Sequence, residues 1–374
     1  MSAALFVIGS ILLFVLILSV LVIAHELGHF FVAKRFGVRV DEFGLGYPPK
    51  AKKLFTWKGT KFTLNWLPFG GFVKIFGEDG AELESLAPEE QKQSFVSKPK
   101  YVQAAVLVAG VVMNFLVGWI LVSGLYMKGT TIIFDETLPA KYLTDTQLFV
   151  EAVIPGAPAD KAGLQPADII SSVVRTNDKV ALTTFTPKEL TAFVRASDGK
   201  KLEFSIERNG LELNVPVTPA MNSTTHAYMV GITPSLAGNI HLSFFQSIGQ
   251  GFRSSIYLVK ETVSGITGLI ARKVSIDAVS GPVGMVSMVG SAARMGIDYV
   301  ILFAALISLS LAVINLVPFP ALDGGRLLFV IIETIIRRPL SSKVTGILNT
   351  IGFFLLIALM LFVTYHDIVR LIVK

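Results

Sequence analysis

The sequence His25-Glu26-Leu27-Gly28-His29 follows a run of apolar and small residues, Ala3 to Ala24, that carries no charge. On a helix, two histidines four residues apart lie on one face, where both imidazoles can bind a single zinc ion. The glutamate between them can act as a general base on water at the metal. Ionisable groups this close to hydrocarbon are costly and usually functional, so the pattern predicts a metal centre in a membrane. The alternative is a membrane anchor that happens to contain two histidines.

The composition of the whole chain indicates a membrane protein. Its 374 residues are 52% hydrophobic and 16% charged, and the mean hydropathy of +0.64 lies outside the range of soluble chains. A spanning helix must cross about 30 Å of hydrocarbon. Four runs are long enough, at about Leu5–Ala24, Val102–Met127, Tyr299–Val317 and Ile347–Val363. The first lacks the basic segment and small-residue cleavage site of a signal peptide, so we expect it to be retained.

Charge and cysteine content narrow the partners and the metal ligands. The net charge is +6, but the basic residues are scattered through loops without a stripe or interleaved aromatics. We therefore interpret them as charges that flank a lipid bilayer, and expect no nucleic-acid partner. The chain has no cysteine, which excludes thiolate ligands and leaves histidine and carboxylate as zinc donors.

The distribution of lysine and arginine predicts the orientation. Lys34–Lys100 contains twelve basic residues and Arg326–Lys343 four, whereas the long segment Lys128–Asp298 balances fifteen basic against fifteen acidic residues. Short loops rich in Lys and Arg stay in the cytoplasm, and long loops cross largely regardless of charge. We expect the first and third loops to be cytoplasmic, with the long segment and both termini outside. The two histidines then lie toward the cytoplasmic side.

Asp41–Phe76 alternates aromatic and polar residues and is interrupted by glycines, which predicts β-hairpins. Because it follows a spanning helix directly, it is a candidate for a membrane-dipping hairpin; an ordinary hairpin at the interface is the alternative. Its glycine-rich segments, Phe43–Tyr47 and Phe69–Val73, could capture an unwound substrate strand by β-addition.

The segment from about Gly129 to Pro219 predicts a compact module. Strand patterns alternate with a short helix at Pro155–Leu164 and a second helix opened by the capping sequence Thr186-Pro187-Lys188-Glu189, and Asn209-Gly210 predicts a hairpin turn. This order resembles a PDZ domain, although Ala167 stands where that family usually has Gly; another small β-rich domain is the alternative. Beyond it, Phe244–Ala271 predicts an amphipathic helix, either flat on the bilayer surface or docked on the module. The glycines and proline of Ser280–Gly284 then predict an interruption of helical structure before the third span.

A catalytic zinc site usually has three protein ligands and one open position. The candidate third ligand is Asp323, in the sequence Asn315-Leu316-Val317-Pro318-Phe319-Pro320-Ala321-Leu322-Asp323-Gly324-Gly325 at the end of a span. The two prolines stop the helix, and the glycines allow close approach to a neighbouring helix. The alternative is a helix-ending aspartate at the interface, near Arg326.

Taken together, these sequences resemble the site-2 protease family of intramembrane zinc metalloproteases, and within it the bacterial RseP-like branch. The resemblance covers nearly the whole chain. It implies a Zn²⁺ ion bound by His25, His29 and Asp323, with Glu26 as the catalytic base. It also implies that Asn315 helps to hold or polarise the substrate; Asn114 matches a further family position. The departure is a single PDZ-like module where the best-known relatives carry two in tandem.

The expected fold is membrane α-helical, with four transmembrane helices, an inserted extracytoplasmic α+β PDZ-like domain and a membrane-associated β-hairpin region. The expected division is 1–33 (first span), 34–100 (cytoplasmic hairpin region and linker), 101–127 (second span), 128–220 (PDZ-like domain), 221–298 (interfacial helix region), 299–325 (third span) and 326–374 (cytoplasmic loop and fourth span).

The expected function is zinc-dependent endoproteolysis of single-span membrane proteins in a bacterial inner membrane. Such regulated intramembrane proteolysis would act on substrates such as anti-sigma factors or signal-peptide remnants, some of them cut beforehand. The PDZ-like module could bind a peptide ligand. One rival is a non-enzymatic PDZ scaffold with a structural metal, although no fourth His or Cys ligand is apparent. A metal transporter is a second rival, but the sequence shows no inverted repeat.

Overall fold

The computed structural model describes residues 3–78, 87–133, 142–208, 210–222, 227–273 and 279–372. The chain forms two compact units. The membrane unit comprises Met1–Leu125 and Gly251–Lys374, and the inserted unit comprises Tyr126–Gln250. Four helices in the described ranges are long and apolar enough to cross a membrane: Ala4–Arg35, Lys100–Lys128, Ile297–Leu316 and Ser342–Arg370. The four predicted spans are confirmed.

The first half of the membrane unit consists of two long helices around a β-hairpin region. Its elements are α1 (Ala3–Arg35), β1 (Val40–Trp57), β2 (Thr60–Ile75), the short α2 (Pro88–Gln91) and α3 (Lys100–Lys128). Helix α1 continues past the apolar run and ends at Lys34 and Arg35, whose positive charges suit a helix C-terminus. The zinc-binding pattern therefore lies within α1, in its last third.

The hairpin region is more folded on itself than a simple hairpin. Both strands bend, so that the first part of β1 pairs twice: Phe43 lies opposite Phe62 on one side and Val73 on the other. Gly44 and Leu45 are likewise paired on both sides. The first part of β1 is thus an inner segment of the sheet, and the second part of β2 forms an outer edge.

The inserted unit is a sheet with two helices. Its elements are β3 (Thr130–Ile133), β4 (Leu143–Val153), α4 (Pro158–Ala162), β5 (Ile169–Arg175), β6 (Val180–Ala181), α5 (Pro187–Arg195), β7 (Leu202–Arg208), β8 (Leu211–Val217), β9 (Ala220–Met221), β10 (Tyr228–Met229) and β11 (Ile232–Ile240). The main sheet has the order β3-β11-β4-β5-β7-β8, and β6 pairs with β5. Strand β11 belongs to this sheet although it lies beyond residue 220, because it pairs with both β4 and β3.

The predicted helix ends in the inserted unit occur where the sequence places them. Gly163 ends α4 in the left-handed conformation, at φ 89°. The backbone N–H of Glu189 donates to the Thr186 side chain at the start of α5. Asn209 of the predicted hairpin turn lies outside the described residues.

The second half of the membrane unit is helical and begins within α6 (Phe244–Ile270), at Gly251. It continues with α7 (Pro282–Met295), α8 (Ile297–Leu316), α9 (Asp323–Ile336) and α10 (Ser342–Ile372). Helix α7 begins directly after Gly281, within the glycine- and proline-containing sequence Ser280–Gly284. The backbone N–H of Gly284 in its first turn donates to the buried Asp367 carboxylate of α10, at 2.8 Å. A carboxylate at a helix N-terminus is favourable, so it fixes α7 against α10.

Helix α6 buries its small and polar face. Ser254 and Ser255 are at most 1% exposed, whereas Ile270 is 79% exposed. Phe252 contacts the ring of Trp119 on α3, with 5.2 Å between ring centroids. Small residues at a helix contact and apolar residues facing outward are typical of helices surrounded by lipid.

Candidate metal centre

The two histidines of the H-E-x-x-H sequence lie on one buried face of α1. Each is 7% exposed, and their Nε2 atoms are 3.1 Å apart. The separation of four residues produces this proximity because residues i and i+4 are neighbours on a helix surface.

Asp323 reaches the same point from the opposite end of the chain. Its Oδ2 lies 2.9 Å from Nε2 of His25 and 3.3 Å from Nε2 of His29. His25, His29 and Asp323 together form a group of side chains placed to hold a metal ion. Within the described ranges it is the one such group of three or more His, Cys, Asp or Glu residues. Burial raises the pKa of the Asp323 carboxyl, but hydrogen bonds to the two imidazoles outweigh burial and lower that pKa below its usual value.

A tight turn between α8 and α9 presents the carboxylate. Asp323 is the first residue of α9. A Cβ on Gly324 would lie 2.3 Å from the carbonyl oxygen of Val317, so only glycine fits there. The backbone N–H of Ala321 donates to the Asn349 side chain of α10, at 3.2 Å. Arg326 forms an ion pair with Glu78, which leaves the carboxylate of Asp323 to the imidazoles.

Glycines allow α1 and α3 to meet at the site. A Cβ on Gly28 would lie 2.3 Å from the carbonyl oxygen of Ala109. A Cβ on Gly110 would lie 2.5 Å from Nε2 of His29 and 2.7 Å from Nε2 of His25. Any larger residue at position 110 would therefore occupy the space at the donor atoms. No role was predicted for Gly110, because its one signal in the sequence is a glycine inside an apolar span.

The three donor atoms fit a zinc ion. In a tetrahedral site with bonds of about 2.0–2.1 Å, ligand atoms lie about 3.3 Å apart, and here the separations are 2.9, 3.1 and 3.3 Å. Two imidazole nitrogens and one carboxylate oxygen are donors typical of a catalytic zinc. Nδ1 of His29 donates to the carbonyl oxygen of Val106, at 2.8 Å, which leaves Nε2 free of its proton and available to a metal.

The outer segment of β2 lies beside Glu26. A Cβ on Gly71 would be 3.9 Å from Cγ of Glu26 and 2.8 Å from the carbonyl oxygen of Gly44. Gly71 pairs with Leu45 along one edge only, whereas Phe43–Leu45 pairs along both. Of the two glycine-rich segments named as substrate clamps, Phe43–Tyr47 is therefore mostly enclosed, and Phe69–Val73 contains the edge that no other described strand covers.

The two asparagines differ in their relation to the cluster. Asn315 lies in the last turn of α8 and is half-buried; in the described part of the chain no hydrogen bond joins it to the histidines or to Asp323. Asn114 on α3 is completely buried, and its Nδ2 lies 3.2 Å from Nδ1 of His25. The structure thus places Asn114, rather than Asn315, in direct contact with the cluster.

The inserted unit contains a separate groove between α5 and β11. It has a volume of about 220 Å³ and is lined by Leu190, Thr191 and Val194 of α5, and by Tyr228 of β10, Val230 after it and Ile232 at the start of β11. Strand β11 pairs with β4 from Ile232 onward, but with β3 only from Ala237. One edge of Ile232–Leu236 is therefore unpaired among the described strands, next to an apolar groove.

Comparisons with known proteins show the family of the chain. The family model described as "Peptidase family M50" matches residues 13–359. Zinc metalloprotease RasP of Geobacillus kaustophilus is 32% identical over 422 residues, covering 96% of this chain and 97% of the relative. Zinc metalloprotease RasP of Shouchella clausii is 30% identical, covering 97% and 99%. A protein of Clostridium perfringens whose name also contains the words zinc metalloprotease is 34% identical, covering 94% and 96%.

Proposed function

This chain belongs to peptidase family M50 and is an integral membrane zinc metalloendopeptidase of the site-2 protease type, and we propose that it cleaves single-span membrane proteins within or near the bilayer. The observation that carries the proposal is the convergence of His25, His29 and Asp323, although 298 residues separate His25 from Asp323. Three donors on elements of a spanning unit support chemistry at membrane depth, where water-soluble proteases do not reach.

In the proposed site, His25, His29 and Asp323 hold the zinc ion through Nε2, Nε2 and Oδ2. A bound zinc ion would supply Lewis-acid chemistry for activating water and polarising a peptide carbonyl. Glu26, one residue from His25 on α1, takes the proton from the attacking water and delivers it to the leaving amine. Asn315 donates a hydrogen bond to the developing oxyanion when substrate is bound.

The test is Glu26→Gln in the full-length protein, with a tagged single-span substrate in the same membrane. General-base catalysis is worth about 10²–10⁴-fold, so turnover falls by at least that factor while zinc content stays at the wild-type level. The exposed Glu212→Gln on β8 is the matched control and keeps full turnover. A Glu26→Gln variant that cleaves normally contradicts the proposal, and a scaffold with a structural metal would then be favoured.

The outer edge of β2 at Phe69–Val73 is the proposed substrate clamp. A helical substrate has its scissile carbonyl engaged in backbone hydrogen bonds, so it must unwind before attack. An unpaired edge beside Glu26 can pair with the unwound strand by β-addition. The proximity of Gly71 to Glu26 supports this segment over Phe43–Tyr47.

Gly71→Pro tests the clamp, because proline removes a backbone donor and disturbs the edge. Turnover falls by about tenfold or more, corresponding to about 1.4 kcal/mol of lost substrate alignment, while zinc content is unchanged. Gly59→Asn is the control: asparagine tolerates the left-handed turn, and no atom lies near a Cβ at that position. Equal turnover in Gly71→Pro and the wild type would discard the clamp.

The inserted unit is proposed to be a PDZ-like domain on the extracytoplasmic side of a bacterial inner membrane. The groove between α5 and β11 supports this assignment, because it combines an unpaired strand edge with an apolar pocket, the arrangement that takes an extended peptide end. The balanced charge of the long segment supports the location outside the cytoplasm. Its proposed role is to restrict entry to substrates that another protease has already trimmed, as in regulated intramembrane proteolysis of anti-sigma factors or signal-peptide remnants.

Thr191→Trp tests this role by filling the groove. If the groove admits trimmed substrates, the ratio of cleavage between trimmed and untrimmed forms of one substrate changes, whereas Glu212→Trp on the exposed side of β8 leaves it unaltered. An identical ratio in Thr191→Trp and the wild type would remove the groove from substrate selection.

A further inference from the structure

Asn114 has an unusual environment on α3. It is completely buried, its Nδ2 lies 3.2 Å from Nδ1 of His25, and its Oδ1 is buried without a hydrogen-bond partner in the described part of the chain. Its backbone carbonyl accepts a hydrogen bond from the Ser308 hydroxyl of α8, at 2.8 Å. A buried amide oxygen without a donor is costly, so its orientation requires a physical reason.

The chemistry of a metal-bound imidazole supplies the reason. A neutral histidine that binds a metal through Nε2 carries its proton on Nδ1, and this N–H requires an acceptor. A half-turn of the Asn114 amide exchanges its oxygen and nitrogen, which have nearly the same shape. Oδ1 then accepts from Nδ1–H of His25, and Nδ2 moves to the position that Oδ1 occupied.

His29 has the equivalent arrangement one helical turn away. Its Nδ1 donates to the carbonyl oxygen of Val106 on the same helix. Val106, Gly110 and Asn114 are spaced by four residues and therefore share one face of α3. Val106 supplies an acceptor to His29, Asn114 would supply one to His25 once its amide is turned, and the glycine between them leaves room at the two Nε2 atoms.

We infer that Asn114 is a positioning residue of the zinc site: its Oδ1 accepts the Nδ1 proton of His25 and thereby directs an unprotonated Nε2 toward the ion. Helix α3 provides no metal ligand, yet it determines the tautomer of both histidine ligands. This inference rests on the proposed zinc ligands and extends that site to a third element of the membrane unit.

The test compares zinc affinity in purified full-length variants by competition with a chromophoric chelator. Loss of the outer hydrogen bond to a metal-bound histidine typically costs about 10–100-fold in affinity. Asn114→Leu keeps the side-chain size and removes the acceptor, so zinc affinity falls by that factor. Asn114→Asp keeps an acceptor at the same distance, so its affinity stays within the order of magnitude of the wild type. Cobalt-substituted protein provides a second readout, because its visible spectrum changes with ligand orientation in Asn114→Leu and not in Asn114→Asp.

Ser308→Ala is the matched control. It removes a buried hydrogen bond to the same asparagine at its backbone, not toward the imidazole, so zinc affinity is unchanged. Wild-type affinity in Asn114→Leu overturns the inference, and so does an Asn114→Asp variant as weak as Asn114→Leu. If Asn114→Leu does not accumulate in the membrane, the comparison of Asn114→Ala with Asn114→Asp decides in the same way.

A further pair of variants separates this inference from the proposed function. Zinc that persists in His25→Ala refutes the proposed ligands and the inference with them. Zinc that depends on His25 but is bound equally by Asn114→Leu and the wild type leaves the proposed function intact and refutes only the positioning role.

Discussion

Two carboxylates, one in each unit, show how the partners of a buried acid indicate its role. In the inserted unit, Asp168 is 1% exposed and receives hydrogen bonds from Arg208 at 2.6 and 2.7 Å and from the backbone of Gln165 at 2.8 Å. The hydrogen bond to Asp168 in turn raises the pKa of Arg208. This carboxylate is paired with a permanent cation and is fully satisfied.

In the membrane unit, the described partners of Asp323 are two imidazoles that already point their Nε2 atoms at one another. Neither residue is a permanent cation, so this carboxylate has no fixed counter-charge of the kind that Arg208 gives to Asp168. A buried carboxylate whose hydrogen bonds are all made, such as Asp168, stabilises its own unit. A buried carboxylate next to other potential metal ligands, such as Asp323, indicates a binding site for a cation.

The largest effect is expected from Asp323→Asn. It removes the negative charge from the site and leaves a weak amide ligand, so zinc affinity falls by more than the about 10–100-fold that an outer hydrogen bond contributes. Turnover becomes undetectable, while the fold of the inserted unit is unaffected. Metal analysis of the purified protein, together with substrate cleavage, measures both results. Stoichiometric zinc in Asp323→Asn would show that the zinc ion does not require the Asp323 carboxylate.

The intermediate effect is expected from Asp168→Asn, which leaves the Arg208 guanidinium without its counter-charge. The free energy of unfolding of the inserted unit decreases on the order of 3 kcal/mol, while zinc content stays at the wild-type level. Hydrogen exchange of β5 and β7 measures the change. Asp178→Asn is the control: Asp178 is more exposed and lies 3.5 Å from Arg175, so its loss costs less than about 1 kcal/mol. Equal destabilisation by both variants would show that the buried Asp168–Arg208 pair contributes no more to stability than the more exposed Asp178–Arg175 pair.

The smallest effect is expected from removing the metal with a chelator. A ligand at one hundred times its dissociation constant stabilises the state that binds it by about 2.7 kcal/mol. Chelation therefore increases hydrogen exchange in α1 and α9, whose residues form the site, by a corresponding factor. Exchange in β5 and β7 remains constant. A change of equal size in both sets of elements would contradict the division into one metal-dependent and one metal-independent unit.

Features set by local periodicity could be predicted from the sequence. The spans follow from apolar length, and the proximity of His25 to His29 follows from their separation of four residues in a helix. Asp323 could be named because prolines and glycines around a single carboxylate at the end of a span are unusual. The caps at Gly163 and Thr186 depend on neighbouring residues alone, and both occur as expected.

Features that depend on distant contacts could not be predicted. The double pairing of Phe43 requires strands that bend, and the addition of β11 to the sheet requires a partner about 80 residues away in sequence. The amphipathic pattern of α6 indicates two faces, but not which of them is buried. The contact between Asn114 and His25 joins two spans, and no pattern within either span reports it.

The separation of 298 residues between the two ends of the site also determines when the protein can become active. A ribosome adds about 5–20 residues per second, so α1 is synthesised about 15–60 s, and α3 about 10–40 s, before Asp323. During that interval the imidazoles are in place without their third partner, and the nascent chain cannot cut its neighbours in the insertion machinery. The order of synthesis thus separates membrane insertion of the two histidines from assembly of the proposed zinc site.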